Sequence, residues 1–404
     1  MARTLVTNTE HDTRVPFLRG ILTRSLEHAG LPFDTAYNLA STVREKLSGR
    51  REITTDDLRA LVADLIRKDH GDITAMRYLS VAPPEEALLV TSGGGQTAPF
   101  SRTSHQRSLH SCGLTAEAAR PVTAKIYEHL LARGTTHITS DRLGYLTYRY
   151  LKRDVGPRQA QRYLVWAQFI RSGRPLILLI GGSVGCGKST IATEVAHHLE
   201  IVRIQSTDML REVMRLMLPQ RVTPALHTSS FLAWQCRPGN EAGTTPEEEH
   251  VIDGFRSQAE LLAMSCEAVV SRAVRERVSL IVEGVHIEPG MAARLPRDTD
   301  AIVVEALMAV LKPKTLRKRL RGRGKAEPAR RADRYLKSFD AIWTIQTHLL
   351  KEADQHGVPI IPNNDKSDAA GDLMVKIIDK LALEFTASAR EVFPDGGKRP
   401  ASRH

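Results

Sequence analysis

The chain has 404 residues, 42% apolar and 25% charged, with a formal net charge of +11. That length leaves room for several domains with real cores, and the ordinary composition excludes a disordered or low-complexity chain. No run of about 18 apolar residues occurs, MARTLVTNTEHD lacks a charged-then-apolar layout, and Cys112, Cys186, Cys236 and Cys266 form no CxxC pair; membrane insertion and export are disfavoured and a reducing cytoplasm is expected.

The first 166 residues contain an internal repeat. Pro16-Phe17-Leu18-Arg19 returns 83 residues later as Pro99-Phe100-Ser101-Arg102, and Arg24-Ser25-Leu26 returns as Arg107-Ser108-Leu109. After a two-residue insertion, Ile53-Thr54 returns as Ile138-Thr139 and Arg77-Tyr78-Leu79 as Arg162-Tyr163-Leu164. Ordered matches at nearly one offset mark a duplicated unit. Each copy reads as a short apolar stretch (Thr4 to Val6; Ala87 to Val90), a turn, the PFxR segment and helices. Leu39, Val43 and Leu47, like Val122, Ile126 and Leu130, fall on one helical face. Thr54-Thr55-Asp56 and Thr139-Ser140-Asp141 favour helix N-caps, and Ser92-Gly93-Gly94-Gly95 is expected to be the flexible join between copies. The PFxR-to-RYL pattern resembles the ATP-cone, a small, mostly helical nucleotide-sensing module. The alternative is that Arg19, Arg102, Tyr78 and Tyr163 only hold each fold together.

Five apolar residues, Leu176 to Ile180, then run into Gly181-Gly182-Ser183-Val184-Gly185-Cys186-Gly187-Lys188-Ser189-Thr190, a GxxxxGK[ST] phosphate loop. A buried strand precedes it, and Ile191, Ala192, Val195, Ala196 and Leu199 mark one face of a helix after it. Glycines let successive N–H groups turn toward phosphate at the positive end of that helix. Lys188 would reach the β- and γ-phosphates of ATP and Ser189 would ligate Mg²⁺. Cys186 reads as a small loop filler.

A second strand, Ile201 to Ile204, leads to Ser206-Thr207-Asp208 and a helix carrying Arg211 and Arg215. A carboxylate there sits on the rim where open α/β sheets bind ligands, so Asp208 can orient or deprotonate an acceptor hydroxyl while the arginines grip an anion. The competing reading makes Asp208 a helix cap and the arginines solvated. Val251 to Val278 reads as a long helix leading to a third strand, Leu280-Ile281-Val282, which ends at Glu283-Gly284-Val285-His286. Glu283 stands where a Walker B acid would hold Mg²⁺ through water or position substrate; a buried structural carboxylate is the alternative. His286 reads as a packed or polar-network histidine. Strands at Ala301 to Glu305 and Val358 to Ile361 complete a five-stranded parallel core.

Between those last two strands, Lys312 to Arg334 holds eleven Lys and Arg against two acids, a net +9 of the chain's +11. In a nucleotide-kinase-like fold this position is the lid, whose arginines neutralise charge during transfer. Nucleic-acid binding is disfavoured, since Tyr335 at the segment's edge is its one aromatic residue and offers no stacking platform. His227-Thr228-Ser229-Ser230 can contact a phosphorylated acceptor or start a helix, and Phe231 and Trp234 read as packing residues.

VPFLRGILTRSL, GGSVGCGKST, STDMLREVMR, ALHTSSFLAW, DGFRSQAE, VEGVHIEPG, RRADRYLKSFDAIWTIQ and GVPIIPNND together resemble the 2-phosphoglycerate kinase family. The resemblance implies an α/β P-loop kinase core with a five-stranded parallel sheet, preceded by two tandem mostly helical ATP-cone-like repeats. The implied domains are 1–91, 92–170 and 171–386 with a basic lid at 312–334, and 387–404 is expected to be a disordered tail. It further implies transfer of the γ-phosphoryl of ATP to 2-phosphoglycerate, a small phosphorylated metabolite, giving 2,3-bisphosphoglycerate. The ATP site would be Gly182, Ser183, Val184, Gly185, Cys186, Gly187, Lys188, Ser189 and Thr190, with Mg²⁺ on Ser189. The acceptor site would be Asp208, Arg211, Arg215 and Glu283, with lid arginines at Arg317, Arg319 and Arg323. Catalysis would rest on Lys188, Asp208, Arg319 and Arg323. The lid departs from the family's pattern at Leu316 and Leu320, which replace a histidine and a phenylalanine. A zeta-toxin-like or inositol phosphate kinase, and an ATP-responsive nucleic-acid-binding regulator, are the alternatives.

Overall fold

The computed structural model describes residues 4–8, 13–80, 88–133, 135–237, 247–295, 299–323, 330–363 and 366–396. Residues 1–109, 115–164 and 387–404 form one unit, and 110–114 with 165–386 form another.

The first unit contains the same arrangement twice. In the first copy β1 (Leu5–Asn8) and β2 (Thr13–Pro16) pair antiparallel, followed by α1 (Arg19–His28) and α2 (Phe33–Lys46). Then β3 (Glu52–Thr54) joins β1 in parallel, and α3 (Thr55–His70) and α4 (Asp72–Ser80) close the copy. The second copy repeats this with β4 (Leu89–Thr91), β5 (Thr97–Pro99), α5 (Arg102–His110), α6 (Ala116–Ala132), β6 (His137–Thr139), α7 (Ser140–Asp154) and α8 (Pro157–Ser172). Thr54 and Thr139 cap α3 and α7 by accepting from Asp57 and Arg142 N–H. The helical faces at Leu39, Val43 and Leu47 and at Val122, Ile126 and Leu130 are buried.

Three expectations change. The glycines after Ser92 form the β4–β5 hairpin turn, since Ser92 N–H bonds to Gln96 O across it and β4 belongs to the second copy's sheet. The join between copies therefore precedes β4, not 91/92, and residues 81–87 lie outside the described residues. The boundary with the second unit falls inside α8, at 164/165. Residues 387–396 are not disordered: Ser388 and Glu391 form a capping box on α16 (Ala389–Val392), and Phe393 is buried against Gly144 and stacks on Tyr163 at 6.0 Å.

The two copies differ in their cores. Leu22, Ala40 and Val62 of the first are buried and apolar, and the corresponding residues of the second are His105, Thr123 and Thr147. His105 Nδ1 and Nε2 bond to Thr123 Oγ1 at 2.9 Å and Thr147 Oγ1 at 3.0 Å, and burial holds the imidazole down to about 4.

In the second unit, β7 (Leu176–Gly181) is buried along its whole length, which suits a central parallel strand. It is followed by α9 (Lys188–Leu199), β8 (Ile204–Ser206), α10 (Thr207–Met217), α11 (Glu248–Arg275), β9 (Leu280–Glu283) and β10 (Ile302–Ala309). Then come α12 (Pro313–Arg323), α13 (Arg330–Lys337), α14 (Phe339–His356), β11 (Ile360–Pro362) and α15 (Lys366–Leu381). The expected five-stranded parallel sheet is present, in the order β11-β10-β7-β9-β8, but the strand expected at Ile201 to Ile204 runs instead over Ile204–Ser206, and Val202 stands exposed before it. Gly254 of α11 faces the Trp234 backbone, where any Cβ would collide, so α11 packs flush on residues 230–236. The four cysteines are free, and no helix among the described residues is long and apolar enough to cross a membrane.

His105→Leu alone strands the Thr123 hydroxyl in the core and is expected to lower unfolding stability by about 1–3 kcal/mol. The triple variant His105→Leu, Thr123→Ala, Thr147→Val reproduces the first copy's packing and is expected to recover most of that loss in urea unfolding.

Candidate active site

Parallel register sets the geometry. Ile180 of β7 pairs with Glu283 of β9, and Glu283 pairs with Ser206 of β8, so three strand ends stand abreast. The loop 182–187, the start of α10 and the turn 284–286 all leave from this edge.

Gly187 caps α9 in a left-handed conformation (φ 90°), and a Cβ there would strike the Asn363 amide. Lys188 Nζ donates to Ser183 O at 3.0 Å and lies 3.9 Å from Cys186 Sγ; Cys186 is fully buried, as a loop filler should be. Ser189 Oγ donates to Glu283 Oε1 at 2.9 Å, and Glu283 is buried. A hydroxyl and a carboxylate held together supply oxygen donors of the type a hard divalent cation takes. Val184 is half-buried and Thr190 exposed on the same loop and helix start.

Ser206, not Asp208, caps α10 by accepting from Asp208 N–H at 3.2 Å. The Asp208 carboxylate is exposed in the first turn, free of any hydrogen bond or ion pair among the described residues. Arg211 and Arg215 diverge. Arg211 reaches inward to Thr228 O and also pairs with Glu212 at 3.2 Å, whereas Arg215 is exposed and has the Glu212 carboxylate, at 3.1 Å, as its partner.

Behind this rim runs a polar chain that joins four of the sequence motifs. Gln258 Nε2 donates to Ala225 O and to Thr228 O (3.2 Å), so its Oε1 must accept from His286 Nε2 at 2.9 Å. That fixes the neutral Nε2–H tautomer and leaves Nδ1 to accept from Thr207 Oγ1 at 2.9 Å. Burial holds His286 down to about 3, although the Asp208 charge pulls the other way.

The basic segment meets the glycine loop through apolar and polar contacts. Leu316 and Leu320 of α12, both fully buried, pack over Gly185, which accounts for aliphatic residues at these positions. Arg319 donates to Cys186 O at 3.4 Å, and Asn363 Nδ2 donates to the same oxygen at 2.7 Å. Arg317 turns away, 4.1 Å from the Phe339 ring and 3.8 Å from Asp340. Arg323 ends α12, and its side chain lies outside the described residues. Arg334 of α13 donates to Ser229 Oγ at 2.9 Å.

The structure thus gathers Gly182–Thr190, Glu283, Asp208, Arg211 and Arg319 at one edge and leaves Arg215 and Arg317 outward. Sequence reasoning did not single out Gln258, Arg334, Asn363 or Gln346; they lie in the motifs DGFRSQAE, RRADRYLKSFDAIWTIQ and GVPIIPNND, which was their only signal.

His286 is neutral when folded and titrates near its ordinary value when unfolded. Stability is therefore expected to fall as pH drops below about 6.5, by up to about 1.4 kcal/mol per unit until the folded group itself protonates. Urea midpoints between pH 7 and pH 5 check this, and His286→Asn should flatten the slope.

No family model matches the chain. The chain is 32% identical to the 2-phosphoglycerate kinase of Pyrococcus horikoshii over 305 residues, covering 72% of this chain and 94% of that protein. It is 34% identical to that of Pyrococcus furiosus over 292 residues, covering 72% and 93%. It is also 34% identical to that of Methanothermobacter thermautotrophicus over 313 residues, covering 77% and 97%. Each relative is matched almost end to end, and with that coverage at this identity the chain belongs to the 2-phosphoglycerate kinase family.

Proposed function

We propose that this protein transfers the γ-phosphoryl group of ATP to the hydroxyl of 2-phosphoglycerate, giving ADP and 2,3-bisphosphoglycerate. The observation that carries this reading is the near-complete coverage of 2-phosphoglycerate kinases by a chain whose unpaired rim carboxylate, Asp208, stands beside a glycine loop. The zeta-toxin-like or inositol phosphate kinase and the nucleic-acid-binding regulator are not favoured.

In this reading the second unit is a P-loop kinase core. Residues Gly182–Thr190 cradle the ATP phosphates, with Lys188 released from Ser183 O onto the β- and γ-phosphates. Ser189 would hold Mg²⁺ through its hydroxyl, which Glu283 would orient. Magnesium, when bound, neutralises charge on the phosphate oxygens. Asp208 accepts the proton of the acceptor hydroxyl as its oxygen bonds to the γ-phosphorus and the bond to the β–γ bridging oxygen breaks. Arg211 takes the acceptor's anionic groups, with Ser229 and Arg334 completing that side, and Arg215, outward and paired with Glu212, is left out of that role. Arg319 and Arg323 stabilise the transferring group from the lid.

The two front copies are read as ATP-cone-like modules. Arg19 and Arg102 are engaged within their own copies, lying 4.2 Å from the Tyr37 ring and 4.0 Å from the Tyr127 ring, which supports a role in holding each fold.

ADP release with Mg·ATP is expected to be stimulated by 2-phosphoglycerate above 3-phosphoglycerate, glycerate and inositol phosphates. Asp208→Asn is expected to lower kcat by about 10²- to 10⁴-fold with KM for ATP little changed. Turnover only with another acceptor would discard the named substrate and keep the kinase. Absence of any acceptor-dependent turnover would discard the kinase.

A further inference from the structure

Gln346 lies on α14, between the glycine loop and the hinge of the basic segment, and is 1% exposed. Its Nε2 donates to Val310 O at 3.0 Å, and its Oε1 accepts from Val310 N–H at 3.2 Å. The second lone pair of Oε1 accepts from Ser183 Oγ at 3.0 Å. Rotating the amide by half a turn would set oxygen against the Val310 carbonyl and nitrogen against its N–H, so its orientation is determined.

Each partner leads to a different part of the site. Ser183 is fully buried, and its carbonyl holds the Lys188 ammonium. Val310 follows the last residue of β10 and stands three positions before α12, whose Leu316 and Leu320 seat on Gly185 and whose Arg319 reaches Cys186 O. One buried amide therefore ties the loop that presents Lys188 to the hinge that presents Arg319.

We propose that Gln346 is a positioning residue that holds the glycine loop and the base of the lid in a single register, so that Lys188 and Arg319 converge on the same phosphoryl group. The proposal rests on the kinase reading above but concerns nucleotide geometry, not acceptor identity. Without the amide, the Ser183 hydroxyl and both polar groups of Val310 are buried unpaired, and loop and hinge become free to shift independently; misplacement of about 1 Å is enough to cost roughly 10²-fold in rate.

The test compares Gln346→Leu and Gln346→Glu with the unaltered full-length protein, measuring ADP affinity by calorimetry, kcat, both KM values and thermal unfolding. Gln346→Leu is expected to weaken ADP binding about tenfold and to lower kcat about 10- to 100-fold, with KM for the acceptor within about twofold. Gln346→Glu keeps the acceptor oxygen but, when ionised, faces the Val310 carbonyl with a charge. Protonation restores a donor there, so its ADP affinity and kcat are expected to rise as pH is lowered from 8 to 6 relative to the unaltered protein. ADP affinity and kcat unchanged in a folded Gln346→Leu variant would overturn the proposal. If that variant does not fold, a Gln346→Glu profile parallel to the unaltered protein overturns it. Loss of ADP binding in the variants with an acceptor other than 2-phosphoglycerate would keep this proposal while discarding the named substrate.

Discussion

A parallel sheet sends the C-terminal ends of all its strands to one edge, and in this protein the register of that sheet decides what can meet there. Because Ile180, Glu283 and Ser206 are level, the glycine loop, the Glu283 carboxylate and the first turn of α10 emerge side by side. A shift of β9 by one residue would turn Glu283 to the opposite face and remove the Ser189 hydroxyl's partner. The central strand is apolar on both faces, so its register is set by core packing and the site inherits that rigidity.

Around this edge, orientation is fixed by amides pinned to backbone groups. Gln258 can meet the carbonyls of Ala225 and Thr228 only by turning its oxygen to His286, which in turn selects the imidazole tautomer and the direction of the Thr207 hydroxyl. Gln346 obeys the same logic with Val310 and Ser183. In each case a single buried side chain carries several bonds, and losing it leaves several groups unpaired at once. Such networks resist partial substitution.

The front copies present the opposite case, one topology with two kinds of interior. Leu22, Ala40 and Val62 pack as apolar groups, whereas His105, Thr123 and Thr147 occupy the corresponding positions as a closed hydrogen-bonded set. Both are satisfied interiors, so the sheet and helices around them need not differ. Arg19 and Arg102 also stack on tyrosines from different positions of the second helix, Tyr37 and Tyr127, so the conserved chemistry of the duplicated PFxR segment survives a change of partner.

Periodicity and local motif were enough for the sequence alone to determine the duplicated front region, the five parallel strands, the glycine loop with Lys188 and Ser189, the capping residues at Thr54 and Thr139, and the location of Asp208, Glu283 and the basic segment. These signals are local: each is read from neighbours in the chain or from spacing along one element. Only the tertiary structure decided that Ser206 caps α10 and leaves Asp208 free, that Arg211 turns inward and Arg215 outward, that the glycines after Ser92 turn a hairpin, and that residues near Phe393 pack against Gly144. The same holds for Gln258 and Gln346, ordinary helix residues in sequence. Their role arises from backbone groups and hydroxyls thirty or more positions away, and no pattern along the chain encodes which distant backbone group a buried amide will meet.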